Sequence, residues 1–223
     1  MRVSQCRQQP PASAIVLAMQ VLIVVVGIIA LWTLWGYLSS NVEQAVYTVI
    51  THADGYELRA YPERIVAQTT IDGSYDAALN EGFSIVAGYI FGGNVKKEPI
   101  AMTAPVTSQP ASEKIAMTAP VTVGTEGSQR VVAFVMPAAY TLESLPQPTD
   151  PRVRLVKEPP RKMAVIRFSW SRGGERVRKM EAQLLASLKK DGIEVIGAPV
   201  FAGYNAPGTP PWMNRHEVMV EVR

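Results

Sequence analysis

The stretch IVAQTTIDGSYDAALNEGFSIVAGYIF, from Ile65 to Phe91, changes its hydrophobic period partway along its length. Its first part, Ile65 to Ile71, is short and rich in β-branched residues, as is typical of a strand. From Ser74 onward one helical face carries apolar or small residues, namely Tyr75, Leu79, Gly82, Val86 and Ile90. The pair Gly92-Gly93 then predicts the end of the helix. A strand that leads into an amphipathic helix indicates an α+β domain.

The same order of elements occurs twice along the chain. The strands predicted before the first helix are Tyr47–Ile50 and Tyr56–Tyr61, which flank an Asp54-Gly55 turn, and Ile65–Ile71. The later elements are strands at Val153–Val156 and Met163–Trp170 and a helix at Glu175–Lys190 with Val177, Met180, Leu184 and Leu188 in a stripe. A shift of 98 positions lays Pro62 on Pro160 and the first helix on the second. We therefore predict a pseudo-duplicated domain in which two main helices pack on a curved, mostly antiparallel sheet or barrel.

A second repeat is shorter and identical in both copies. Residues 100–107 and 115–122 both read IAMTAPVT. Alternation within each copy places Ile, Met, Ala and Val on one face, as in a strand that faces a core, and each proline predicts a bulge or an edge. Met102 and Met117 are then either core residues or the lining of a ligand pocket.

An apolar segment near the N-terminus predicts a membrane anchor. Between Ile15 and Leu38 only Gln20 and Thr33 have polar side chains. These 24 residues would form a helix of about 36 Å, enough to cross a hydrocarbon core of about 30 Å. The chain thus divides into a cytoplasmic N-terminus (1–13), a transmembrane helix (14–38), a tether (39–46) and a folded domain (47–223).

The charges beside this segment predict its orientation. Arg2 and Arg7 precede it, whereas Glu43 and two further acidic residues follow it before the first downstream base. The positive-inside tendency places the N-terminus in the cytoplasm and the domain outside, in a single-pass arrangement. A cleaved signal peptide is the alternative, but its apolar region would normally be only about 7–15 residues long.

Composition excludes several classes of function. Without Arg2 and Arg7, 20 of the 22 basic residues remain against 19 acidic ones, so the domain has nearly no net charge and does not resemble a nucleic-acid-binding protein. Cys6, the only cysteine, precedes the anchor, and the two histidines are too few for a typical catalytic zinc site. No phosphate-binding glycine loop or nucleophile elbow is present, so we expect a protein that is not an enzyme.

Three segments together resemble the SOUL haem-binding protein family. They are YELRAYP at Tyr56–Pro62, KKEPIAMTAPVT at Lys96–Thr107 and AGYNAPGTPPWMNRHEV at Ala202–Val218. The resemblance implies a barrel-like domain that binds haem or a related tetrapyrrole without acting on it chemically and that does not need the ligand to fold. An early anchor is similar to that of bacterial members, in which the domain would be periplasmic.

The resemblance also implies where a ligand would bind. Animal members are thought to hold the ring beside the first helix, against large apolar side chains, with basic residues at the propionates. In this chain Phe83, Ala87 and Phe91 form an apolar shoulder beside the core face of that helix. The helix contains no lysine or arginine, so Lys96 and Lys97, just after it, are the candidates for the propionates.

Candidates for an axial iron ligand are few. The imidazole of His216 is the first, and Met102 and Met117 are weaker ones. A histidine at this position is also typical of a surface residue that forms hydrogen bonds. Two other functions stay open from the residues alone: a binding module for other amphiphilic ligands or a protein partner, and a hydrolase with Glu217 as a catalytic residue, although Glu217 beside Arg215 favours a salt bridge.

Overall fold

The computed structural model describes residues 12–39, 43–96, 112–206 and 208–223, and for residues 12–15 and 39 it describes the backbone alone. The first element is a helix, α1 (Ala12–Ser39). Residues Val16–Leu38 of this helix have a mean hydropathy of 2.5 and expose their apolar side chains. By length and composition α1 could cross a membrane, a property that a signal sequence shares.

The remaining elements include the predicted helices and the strands predicted near residues 47–71 and 153–170, together with several strands that the sequence analysis did not predict. In chain order they are β1 (Glu43–Gln44), β2 (Thr48–Ala53), β3 (Tyr56–Tyr61), β4 (Arg64–Ile71), α2 (Tyr75–Ile90), β5 (Asn94–Val95), β6 (Thr118–Ala119), β7 (Val121–Glu126), β8 (Gln129–Val135), β9 (Gln147–Pro148), β10 (Arg154–Glu158), β11 (Arg161–Phe168), α3 (Gly174–Lys190), β12 (Val200–Gly203), a 3-10 turn (Pro211–Met213) and β13 (His216–Glu221). The predicted tether therefore contains a short strand, β1, which pairs in parallel with β6.

Nine of the strands form one sheet in which every neighbouring pair is antiparallel. Its order is β10-β4-β8-β7-β12-β13-β11-β3-β2. Within the described residues β10 and β2 are edges that do not pair with each other, so the sheet is open and the barrel alternative is not observed. The register between β2 and β3 shifts between Val49 and Thr51, as at a β-bulge. The duplication of the two halves stays a prediction.

The helices α2 and α3 pack on the same face of this sheet. Alternation along β11 sends Ala164, Ile166 and Phe168 into the large core with α2 and α3, and sends Met163 and Val165 to the opposite face. A smaller cluster covers that second face; it consists of Tyr61, Ala119, Met163, Val165, Ala202, Tyr204 and Met219. The two faces of the sheet are called the helix face and the open face below.

The predicted core stripes of the two helices are confirmed. In α2 the residues Leu79, Gly82, Val86 and Ile90 are buried and Tyr75 is half-buried. In α3 all four predicted residues, Val177, Met180, Leu184 and Leu188, are buried. Ser74 caps α2, because its Oγ accepts a hydrogen bond of 3.3 Å from the backbone N–H of Ala77. Gly82 brings α2 very close to β8, since a Cβ atom at this position would lie 2.5 Å from Cγ2 of Val132.

The second IAMTAPVT copy differs from the predicted strand. Its first three residues, 115–117, are outside any strand, and Pro120 separates β6 from β7 because proline cannot donate to a sheet ladder. The predicted alternation is also wrong, since Thr118 is buried and its hydroxyl donates to the carbonyl of Val135. The first copy lies outside the described residues.

Candidate functional site

The apolar shoulder of α2 is only partly accessible. Phe83 is half-buried, with its ring centroid 5.2 Å from that of Phe134, and Ala87 is buried. Phe91, by contrast, is 57% exposed. Gly88 is exposed too, and a Cβ atom built there would meet no atom within 4 Å. The accessible part of the shoulder is therefore its C-terminal end, at Phe91 and Gly88.

The segment that follows α2 returns to the end of this helix. Asn94 is buried, and its Nδ2 donates hydrogen bonds of 2.8 Å to the carbonyls of Tyr89 and Glu113. The backbone N–H of Glu113 donates back to Oδ1 of Asn94 at 2.9 Å, and that of Ile115 donates to the carbonyl of Ile90. These bonds hold residues 113–115 against the end of α2.

The other residues proposed for the ligand are spread over different surroundings. Lys96 is exposed, two residues after the buried Asn94, and Met117 is half-buried. Lys97 and Met102 lie outside the described residues. No group of three or more histidine, cysteine or acidic side chains that could hold a metal ion occurs in the part of the chain that the structure describes.

His216, the candidate axial ligand, is buried rather than on the surface. It is 3% exposed, and its ring packs against those of Phe168 and Phe201 at centroid distances of 5.5 and 5.6 Å, while these two rings are 6.4 Å from each other. It begins β13 opposite Phe168 in the register, which turns it toward the helix face. The expectation of a surface residue is therefore wrong.

Burial also determines the charge state of His216. Neither ring nitrogen has a hydrogen-bond partner among the described residues. Desolvation is the main effect, and it lowers the pKa of His216. The carbonyl of Trp170 is outside hydrogen-bond geometry but still raises this pKa, whereas the positive charge of Arg172 lowers it further. The lowered pKa favours the neutral ring, which is the form that binds a metal, but His216 is buried in the core, so an iron atom could reach it only if packed side chains moved.

A buried network of charges occupies the open face. Glu217 is fully buried and accepts four hydrogen bonds, from Nη1 and Nη2 of Arg59 at 2.9 and 3.2 Å and from Nε and Nη2 of Arg215 at 2.9 and 2.8 Å. The predicted salt bridge to Arg215 is thus confirmed. Arg59 was not singled out in the sequence, although its place in β3, between Tyr61 and Glu57 at period two, could have indicated an inward-facing charge.

Three tyrosines surround this network. The guanidinium carbon of Arg59 lies 4.3 Å from the ring centroid of Tyr47, and that of Arg215 lies 3.9 Å from the centroid of Tyr204. Burial raises the pKa of Tyr204 and of Tyr61, so neither phenol ionises near neutral pH. Since both arginines neutralise Glu217 together, the arrangement is that of a structural ion-pair cluster.

Two cavities lie near this part of the sheet. One has a volume of about 290 Å³ and is lined by residues of β1 and by the ends of β4 and β8, among them Glu43, Val46, Ile65, Met136 and Tyr140. The other, of about 160 Å³, is on the open face, and its lining includes Arg64, Arg161, Met163, Val200 and Met219. The first is close to the lower limit of about 300 Å³ for pockets that bind small molecules.

Comparison with solved structures supports the fold only. The cryo-EM structure of an EcmrR–DNA complex is similar with a TM-score of 0.52 and 10% sequence identity, over 93% of this chain and 71% of that chain. At this identity the likeness indicates a shared architecture and does not extend to function.

Comparison with curated proteins and with protein families is more specific. The chain is 28% identical to heme-binding protein 2 of Homo sapiens over 157 residues, which are 68% of this chain and 71% of the human protein. It is 27% identical to heme-binding protein 2 of Mus musculus, again over 68% of this chain and 71% of the mouse protein. Residues 42–221 match the family described as SOUL heme-binding protein, and the chain therefore belongs to the SOUL family.

Proposed function

We propose that this protein binds haem or a related tetrapyrrole without catalysing a reaction on it. The observation that carries this proposal is the family match over residues 42–221, which include every element after the apolar helix α1. The similarity to two proteins named heme-binding protein 2 supports the same ligand class. The nearly neutral charge of the domain is compatible with a ligand that is mostly apolar.

The ring is proposed to lie against the C-terminal end of α2. The exposed ring of Phe91 supplies a flat apolar contact, and Gly88 leaves the neighbouring surface without a side chain in the way. Phe83 and Ala87 belong mainly to the domain core and would line only the inner edge of such a site. Lys96 is exposed just beyond the end of this helix, and its positive charge is proposed to pair with a propionate.

The residues at the end of α2 are better suited to contact the face of a tetrapyrrole than to ligate its iron. His216 is 3% exposed and packs against Phe168 and Phe201, whereas Phe91 at the end of α2 is 57% exposed. Ligation by His216 would therefore need a rearrangement of the core, and Met117 is half-buried. We propose that contacts with the ring and its propionates supply most of the affinity.

We also propose that α1 anchors the protein in a cytoplasmic membrane, with the N-terminus inside and the domain in the periplasm or another space outside the cytoplasm. Support comes from the apolar segment Val16–Leu38 and from the arginines that precede it. The recurrence of strands and a helix in the two halves supports an origin of the domain by duplication.

A hemin titration of the full-length protein in detergent micelles tests the ligand. We expect a saturable shift of the Soret band and quenching of tryptophan emission. Phe91→Ser should weaken binding several-fold, because it removes the exposed apolar contact. Gly88→Leu should weaken binding as well, since its side chain would occupy the proposed contact surface of the ring.

The matched control is Ser128→Leu, which adds an apolar side chain in the exposed turn between β7 and β8. Its affinity for hemin should equal that of the unchanged protein. A spectrum that does not saturate, or that equals hemin with empty micelles, would contradict haem binding. Equal affinities of the Phe91 and Gly88 variants and the control would place the ligand elsewhere.

A second candidate function is the binding of a smaller amphiphile. The cavity of about 290 Å³ beside β1 favours it, because this cavity has both apolar and charged lining residues, such as Ile65, Met136 and Lys157. Competition between hemin and an apolar dye distinguishes the two sites. Displacement of the dye by hemin indicates one shared site, whereas independent binding of both indicates that the cavity has its own ligand.

A further inference from the structure

The four tryptophans of the chain lie together although they are far apart in sequence. Trp32 and Trp35 belong to the last turns of α1, whereas Trp170 follows β11 and Trp212 is in the 3-10 turn. The ring centroids of Trp32 and Trp212 are 5.4 Å apart in a T-shaped arrangement, and those of Trp170 and Trp212 are 6.5 Å apart. We call these four residues the tryptophan cluster.

Direct contacts join the domain to the end of α1 at this cluster. Nε1 of Trp32 donates a hydrogen bond of 2.9 Å to the carbonyl of Gly208. Gly36 is buried, and a Cβ atom there would lie 2.6 Å from Cδ of Pro210, so only glycine allows this approach. The domain is joined to α1 through residues 40–42 of the chain. It therefore also contacts the C-terminal part of this helix directly, at Trp32 and Gly36.

The position of Trp32 along α1 gives the depth of the contact. From Val16, where the apolar segment begins, to Trp32 the helix rises about 24 Å, at about 1.5 Å per residue. A hydrocarbon core of about 30 Å that begins near Val16 would end about one turn beyond Trp32. Gly208 and Trp212, which contact Trp32, would then lie within about one turn of the boundary between the acyl chains and the headgroups, near which tryptophan is enriched in membrane proteins.

The backbone at Trp170 is arranged to present its side chain outward. Its φ of 76° is in the left-handed region, which costs a residue with a side chain on the order of 1–3 kcal/mol. The backbone N–H of Trp170 donates to the carbonyl of Pro211 at 3.0 Å, which connects the two segments that carry Trp170 and Trp212. Even so, Trp170 is 63% exposed and Trp212 is 40% exposed. Such exposure of two large indoles is unfavourable in water and favourable in a membrane interface.

We propose that the tryptophan cluster is a membrane seat: Trp170 and Trp212 enter the interface of the same bilayer that α1 crosses, and they hold the domain against it in one orientation. The lipid bilayer is the occupant because the exposed surface is continuous with the exposed apolar surface of α1. Arg172, exposed two residues after Trp170, adds a positive charge at the level of the lipid phosphates. This inference rests on the membrane anchoring proposed above and is independent of the ligand.

Quenching by brominated lipids tests the seat, because bromine on an acyl chain quenches only tryptophans that reach the acyl region. Full-length protein would be reconstituted in phosphatidylcholine vesicles with and without bromine. Two single-tryptophan variants keep Trp170 or Trp212 and change the other three tryptophans to phenylalanine. The control changes all four to phenylalanine and adds Ser128→Trp, in the β7–β8 turn.

The control position is at the other end of the sheet. Val121 pairs with Gly203, close to the loop that carries Trp212, and five residues of β7 then lead away from it to Glu126, a distance of about 17 Å. We expect the emission of Trp170 and Trp212 to be quenched several-fold more strongly than that of the control. Quenching equal to the control would overturn the seat, and would favour another protein chain as the occupant.

Two further measurements keep the result interpretable. Extraction with alkaline carbonate shows whether α1 is integral; release of the chain would overturn both the anchor and the seat, whereas retention without quenching overturns the seat alone. In the unchanged protein, vesicles should shield the tryptophan emission from aqueous iodide. A large fraction of emission open to iodide would contradict the seat without any substitution.

Discussion

The fully buried carboxylate of Glu217 in β13 lies 2.9 Å from Nη1 of Arg59 in β3, two strands away in the sheet. Arg59 is itself only 3% exposed, so this pair is removed from water on both sides. A buried charge that loses its partner is costly, because the remaining charge has neither water nor a counter-charge around it. The network on the open face therefore gives a clear test of what holds β3 and β13 together.

We predict that Glu217→Gln lowers the free energy of unfolding by about 3–5 kcal/mol, the usual cost of breaking a buried ion pair. The amide keeps the size of the side chain but removes the negative charge that Arg59 and Arg215 share, so that Arg215 loses its carboxylate partner and Arg59 keeps only Glu57. Urea unfolding of the full-length protein in micelles measures the change. Glu63→Gln is the control, because Glu63 pairs with Lys157 at 2.8 Å on the surface, where an ion pair contributes little to stability. Equal effects of the two substitutions would contradict the proposed importance of the network.

We predict opposite effects for two glycine substitutions in α2. Gly82→Ala should destabilise the protein by about 1–3 kcal/mol, since the new Cβ would lie 2.5 Å from Val132. Gly88→Ala, with no atom within 4 Å of its Cβ, should stabilise it by up to about 1 kcal/mol, because alanine is the better helix former. Thermal unfolding of both variants measures the difference. A stabilising Gly82→Ala would show that α2 and β8 are farther apart than described.

We predict that His216 makes the protein less stable in mild acid. Burial lowers its pKa in the folded state, so below about pH 6.5 the unfolded chain binds a proton that the folded chain does not. The free energy of unfolding is therefore greatest when the pH is above the pKa of His216 in the unfolded chain. It falls as the pH decreases, and it stops falling once the pH is below the pKa of His216 in the folded protein. His216→Leu should remove this part of the pH dependence. The urea midpoints of both proteins, measured from about pH 8 to about pH 5, test it, and parallel curves would exclude His216 as the cause.

The orientation of α1 can be tested with the single cysteine of the chain. Cys6 precedes the apolar segment and is predicted to lie in the cytoplasm. A maleimide that does not cross membranes should fail to label it in intact cells or spheroplasts and should label it after lysis. The control is a double variant that combines Cys6→Ser with Ser128→Cys. In this variant the maleimide should react at position 128 before lysis, because this position belongs to the domain predicted to lie outside the cytoplasm. Labelling of Cys6 in intact spheroplasts would contradict the predicted orientation.

Periodic features of the sequence predicted α2, α3 and the strands β2, β3, β4, β10 and β11, but not β1, β5, β8, β9, β12 or β13. The stripes of α2 and α3 repeat at helical spacing over several turns, and their residues face the core as expected. The strands β3, β4 and β11 are bounded by turns and begin close to where the pattern begins. The second IAMTAPVT copy shows the limit of this reasoning, because a buried hydroxyl at Thr118 satisfied by the Val135 carbonyl interrupts the alternation.

Relationships between distant parts of the chain were not predictable in this way. Arg59 and Glu217 are 158 positions apart, and the strand that separates them, β11, comes between them in sequence without any local sign of the order of the sheet. The tryptophan cluster is similar, since Trp32 and Gly208 are 176 positions apart. The ligand class came from resemblance to a family, because an apolar surface such as that around Phe91 specifies no ligand by itself.

The register shift in β2 has a consequence for self-association. Within the described part of the chain, β2 is the edge strand beside β3 and has backbone groups without a strand partner, and anchoring in a membrane would confine many copies to one plane. The shift between Val49 and Thr51 interrupts the regular spacing of those groups, so a second copy could pair with only a few residues at a time. At the other edge of the described sheet, β10 carries Arg154, Lys157 and Glu158, and charged side chains on an edge strand discourage pairing with another chain. Both edges of the described sheet thus discourage strand pairing between copies at high surface density.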